Sequence, residues 1–150
     1  MSEALATPRK EDVPGVVRQV SLRTLELWVR ESLGFVLDIV EVKRSLKVRP
    51  KDLEVYYGIH DKGPLTRFGK VLVLIEWVGL AKCSNRLSRS RPKRYTLQPK
   101  DLWKRYVEVC GRARFNCKED GSPCSLIGIC PYWRVIEYAR WYYGNGGRRQ

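Results

Sequence analysis

From Ser21 onward the apolar residues Leu22, Leu25, Val29, Leu33 and Val36 recur at three- and four-residue intervals, with Trp28 beside them and Glu26 and Arg30 four apart on the polar side. That spacing predicts an amphipathic helix, and Ser21 is a residue type that caps one. Gly34 is expected to end or bend it. Residues 35–48 are rich in β-branched side chains with partial alternation, so a strand is expected there. Pro50 interrupts the pattern. Residues 54–60 and 70–78 then read as two more strands, joined in a hairpin by Asp61-Lys62-Gly63-Pro64, whose composition suits a turn. Because residues 71–75 are apolar at every position, the second of these strands is expected in the middle of a sheet covered on both faces.

Beyond residue 80 the pattern changes. Residues 84–94 are short of apolar side chains and read as an exposed loop. After Pro99, a good first helical residue, Leu102, Tyr106 and Val109 share one helical face while Lys100, Lys104 and Arg105 lie away from it. Gly111, Gly121, Pro123 and Gly128 make residues 110–130 a looped region. Pro131 opens a last helix that runs to Tyr143 and is closed by Gly144-Asn145-Gly146-Gly147. These pieces do not alternate as a parallel βαβ chain would. The expected class is α+β, a small antiparallel sheet of about three strands packed with an N-terminal helix and two C-terminal helices. Residues 1–15 are expected to be a disordered leader, 16–144 a single domain carrying the exposed basic loop 84–94, and 145–150 a flexible basic tail.

Charge adds what periodicity cannot. The chain carries +13, and residues 82–118 hold twelve Lys or Arg against Asp101 and Glu108, whereas residues 1–80 hold thirteen basic and eleven acidic groups. The first part therefore reads as electrostatically ordinary, and the second as a field that attracts polyanions through counterion release. Within it Tyr95, Trp103, Tyr106 and Phe115 interleave with the cations. That pairing points to nucleic acid: guanidinium and ammonium groups hold phosphates while aromatic faces stack on unpaired bases. RNA or another single strand is favoured over duplex, because the chain has no helix-turn-helix, zinc-finger or basic-zipper pattern. The candidate binding residues are Arg86, Arg89, Arg91, Lys93, Arg94, Tyr95, Lys100, Trp103, Lys104, Arg105, Arg112 and Arg114. An adaptor that docks an acidic protein partner through the same surface is the alternative, and the small, basic, aromatic-rich design is compatible with a viral accessory or regulatory protein.

Five cysteines are an odd number for a disulfide framework. Cys110, Cys117, Cys124 and Cys130 are a candidate zinc set. Structural zinc sites usually begin with ligands two to four residues apart, and the spacing here lacks such a pair. Buried thiols are the simpler reading, so no cofactor is expected unless zinc binds. Cys83 to Arg89 has the Cys-x5-Arg spacing of thiolate phosphatases, yet that loop contains no glycine to let the backbone wrap an anion. With a single histidine and no paired-carboxylate or glycine-rich nucleotide motif, a non-enzymatic role is expected. No run approaches the roughly 18–20 apolar residues of a membrane span, and the polar N-terminal segment has no secretory core. The expectation is an intracellular protein, nuclear or cytoplasmic, with the cluster from Arg86 to Arg94 matching a short nuclear-localisation pattern.

Overall fold

A 22-residue helix, α2 (Leu22–Lys43), forms the axis of the fold. Ser21 caps it as expected, its hydroxyl accepting from the Thr24 amide at 3.2 Å. The helix does not stop at Gly34. Leu25, Val29, Leu33, Val36, Leu37, Ile39 and Val40 are all buried, so one apolar stripe runs unbroken through residues 35–43, where a strand was expected. The β-branched residues of this stretch cost at most about 0.7 kcal/mol each in a helix. Burying each large aliphatic side chain returns about 1.5–3 kcal/mol, so packing overrides the local preference.

The computed structural model describes residues 14–84, 93–113 and 130–143. Among them α1 (Gly15–Gln19) precedes α2; then come β1 (Lys47–Val48), α3 (Asp52–Tyr57), α4 (Lys62–Trp77), β2 (Ala81–Cys83), β3 (Tyr95–Leu97), α5 (Lys100–Ala113) and α6 (Pro131–Trp141). The α+β class holds, with a three-stranded antiparallel sheet among six helices, but the strands are not the expected ones. Residues 54–60 lie largely in the short helix α3, and residues 70–77 belong to α4. In α4 the buried side chains are Phe68, Val71, Leu72, Leu74 and Ile75, a helical set in which an apolar run faces the core rather than two sheet faces. The supposed turn at Asp61–Pro64 is the start of that helix, where proline lacks only an amide that has no partner in the first turn.

Helices α4, α5 and α6 pack around α2. Together they enclose a core that includes Leu25, Leu33, Phe68, Leu72, Trp103, Tyr106 and Ile136. Pro131 opens α6 at its first position, as the sequence predicted, and Tyr143 ties the helix end back to α1 and its exit by donating to the Val17 and Val20 carbonyls, the latter at 2.6 Å. The aromatic residues of α6 also serve packing: Tyr138 meets Trp77 edge to face at 5.7 Å, and the Arg30 guanidinium lies over Tyr132. Between α4 and β2 the chain turns at Gly79, whose φ of 85° only glycine adopts readily. The loop expected at 84–94 lies for the most part, residues 85–92, outside the described residues, as do residues 1–13 of the expected leader and the tail.

Candidate functional site

The sheet has the order β1-β3-β2, and its register sorts its side chains into two faces. Val48 and Cys83 pair with Tyr95, and Ala81 pairs with Leu97. Of these, Val48, Tyr95, Ala81 and Leu97 are buried, so this face lies on the core. The other face carries the row Lys47–Thr96–Lys82, each member the direct cross-strand partner of the next. Both lysines are exposed. Adjacent strands stand about 4.8 Å apart, which sets the two lysine backbones about 10 Å from each other with Thr96 between them.

Alternation extends this row. Arg94 lies two residues before Thr96, and the Ser84 amide donates to the Arg94 carbonyl at 2.9 Å, continuing the β2–β3 ladder by one more pair. Arg49 lies two residues after Lys47. Lys43, Lys47, Arg49, Arg94, Ser84 and Thr96 line a hollow of about 400 Å³ at this end of the sheet. A larger groove of about 1000 Å³ opens on the other side of Lys47 and Thr96, between the end of α2 and the start of α5. Among the described residues its cations are Arg44, Lys47, Lys100 and Lys104, its apolar lining includes Val40, Leu46, Leu97, Pro99 and Val107, and its acid is Glu41. Lys47 and Thr96 belong to both concavities, so the two join across β1 and β3, and Lys82 of β2 pairs with Thr96 beside them.

Two local features hold this surface in shape. Asp52 is fully buried and accepts from the Arg49 amide at 2.9 Å, the Arg49 side chain at 3.2 and 3.3 Å and the Lys43 ammonium at 3.2 Å. Lys43 also donates to the Lys47 carbonyl at 2.7 Å, so one carboxylate joins the end of α2, β1 and the start of α3. It compensates part of the charge of Lys43 and Arg49. The second feature is Arg44, which ends α2 with φ 54°, a left-handed conformation that disfavours every residue with a Cβ by about 1 kcal/mol or more. An arginine held where glycine fits best, with its side chain on a groove, is the kind of local strain that collects at functional positions.

The expected site residues divide. Arg94, Lys100 and Lys104 come together on this surface. Lys93 stands beside Arg94 at the entry to β3. Arg105 is exposed but lies on another side of α5, since each helical residue advances by about 100° and the groove takes Lys100, Lys104 and Val107. Arg112 lies in the last turn of α5, and Arg86, Arg89, Arg91 and Arg114 fall outside the described residues.

Tyr95 and Trp103 require correction as stacking residues: they are 4% and 0% exposed. Tyr95 sits on the core face of β3. The Trp103 indole N–H donates to the carbonyls of Leu80 at 2.8 Å and Gln98 at 3.2 Å, and its ring meets Tyr106 edge to face. Neither ring offers a face to a base; both were bound to be needed inside a small domain.

Lys43, Arg44, Lys47, Arg49 and Lys82 are the cations that the expected set omits. The signal of the first four was present: residues 43–49 read Lys-Arg-Ser-Leu-Lys-Val-Arg, four cations and no acid, but a charge balance taken over the whole of residues 1–80 dilutes it, while Lys82 opens the basic segment 82–118.

Of the candidate zinc ligands, Cys110 and Cys130 are buried, and the Cys130 thiol accepts from the Trp133 amide at the start of α6. Cys117 and Cys124 lie outside the described residues, among which no group of three or more His, Cys, Asp or Glu is placed to hold a metal. Cys83 directs its own amide at the Glu76 carboxylate at 3.4 Å, a negative charge where a phosphate-cradling loop would need an open donor. No helix among the described residues is long and apolar enough to cross a membrane. No protein-family pattern, curated protein or solved structure matches the chain.

Proposed function

We propose that the chain is a non-enzymatic nucleic-acid-binding protein that grips the phosphate backbone across the solvent face of its sheet. The observation that carries this reading is the cross-strand row Lys47–Thr96–Lys82, extended by Arg94 at one end and by Arg44, Lys100 and Lys104 at the other. Cations held by separate elements on one continuous surface give a polyanion several simultaneous contacts, and each contact releases counterions. Thr96 adds a hydroxyl that can donate to a phosphate oxygen between the two lysines. The binding is led by phosphates and is therefore strongly salt-dependent. A fluorescent single-stranded RNA should gain anisotropy with added protein at about 50 mM salt and lose most of that gain at about 200 mM; no gain at low salt would overturn the proposal.

A second reading, a protein adaptor, draws on a different surface. Val42, Val55, Tyr56 and Tyr57 are exposed, and Val42, Tyr56 and Tyr57 line a hollow with Asp38 and Glu41. Tyrosines on an accessible apolar patch are frequent anchors of protein contacts. Stoichiometric capture of a protein after nuclease treatment, lost on Tyr56→Ala, would favour this reading, while capture abolished by nuclease favours nucleic acid.

A further inference from the structure

Resting on the nucleic-acid reading, we infer that the groove between α2 and α5 takes an unpaired nucleotide, and that this groove makes the protein selective for single strands. A surface that only follows phosphates needs cations and no apolar wall. This groove has both: Arg44, Lys100 and Lys104 supply charge, while the partly buried Leu46 and Val107 present aliphatic surface between them. Its volume of about 1000 Å³ is ample for a base with its sugar. Such a mixture of apolar lining and a few converging polar groups is the usual composition of a small-ligand site.

The charges give the occupant an orientation. Glu41 and Arg44 stand on the α2 side of the groove and offset each other in charge, whereas Lys100 and Lys104 stand together on the α5 side. The phosphate therefore belongs on α5, at the end of the helix whose backbone dipole also favours an anion. The base then lies over Leu46 and Val107, both only partly buried in the free protein and so able to bury more surface. On the α2 side Glu41 offers an acceptor to an exocyclic amino group, as carboxylates do for cytosine. A duplex keeps its bases stacked and paired, so only an unpaired one can enter. The groove supplies the base contact that Tyr95 and Trp103, both inside the core, do not.

The test compares three probes on the full chain: an oligodeoxycytidylate, an abasic deoxyribose-phosphate strand of equal length, and a duplex of equal length. Methyl NMR and fluorescence anisotropy are read at one salt concentration. The inference expects the base-bearing strand to bind about five- to tenfold more tightly than the abasic one, the return on burying about 40–55 Å² of apolar surface against Leu46 and Val107. It also expects the Leu46 and Val107 methyl signals to shift with the first probe and not with the second. Val107→Asn, which removes methyls without changing charge, should bring the ratio of base-bearing to abasic affinity to about one, a ratio that a folding defect, which lowers both affinities together, does not change. Equal binding of all three probes with silent groove methyls overturns the inference and leaves the phosphate-led reading standing. Failure of every probe to bind overturns both.

Discussion

Replacing Lys47, Lys82 and Arg94 together with alanine removes the solvent-face cations from each strand of the sheet. All three are exposed, and none takes part in the Asp52 cluster through its side chain. The change should therefore alter stability by no more than about 0.5 kcal/mol per site. Its effect on binding follows from counterion release: each phosphate neutralised on a single strand contributes about −0.7 to the slope of log affinity against log salt, so loss of three contacts flattens the slope by about 2. Between about 50 and 200 mM salt that difference amounts to a factor of about twenty, so the variant's deficit is large at low salt and shrinks as salt rises. The assay is a salt series of anisotropy titrations with one labelled single strand. The control removes the same charge elsewhere, from Arg23, Lys62 and Arg140, which stand on α2, α4 and α6 and not on the sheet. If the two triple variants give the same slope, the reasoning fails, because net charge and not the sheet surface would then govern binding.

Other consequences are separable from binding or deliberately opposed to it. Arg44→Gly should raise stability in urea by about 1 kcal/mol by relieving the left-handed conformation, while weakening nucleic-acid affinity and flattening the salt slope by about 0.7; unchanged binding would remove Arg44 from the site. Trp103→Ala should cost about 3–5 kcal/mol, read as a lower urea midpoint and loss of near-ultraviolet circular dichroism. A normally stable W103A protein that had lost only its binding would restore Trp103 as a surface stacking residue. Gly69→Ala lies inside α4, where the added methyl meets only Pro50 Cγ at 3.9 Å, so the helix should gain about 0.5–1 kcal/mol. A loss of stability there would contradict the helical assignment of this segment.

How much of this was legible depended on how locally each feature is encoded. The start of α2 at Ser21, the amphipathic face of α5 and the opening of α6 at Pro131 follow from side chains within one or two turns of each other, and all three are present. α4 was misread because residues 71–75 are apolar without a gap, a run that a buried helix and a central strand share; Phe68, three residues before Val71 and four before Leu72, carried the helical period that decides between them. The true strands are two or three residues long, too short to display alternation.

The site was half legible for the same reason. Arg94, Lys100 and Lys104 stood out in a segment of concentrated charge, but their partners Lys47 and Arg44 join them only through the pairing of β1 with β3, two strands separated by α3, α4 and β2. No local pattern announces such a pairing. The aromatic residues among the cations misled in the opposite direction, since a small core recruits large rings wherever a helix or strand turns inward.

Nucleic acid lying across the solvent face of the sheet should leave a footprint that can be read residue by residue. Backbone amide shifts of the isotope-labelled chain, followed during titration with a short single-stranded RNA, test it directly. The largest changes should fall at Arg44, Lys47, Lys82, Arg94, Thr96 and Lys100, joined into one surface. Changes confined instead to the Arg18–Tyr142 hollow or to the Val42–Tyr56 patch, with the sheet unaffected, would contradict it.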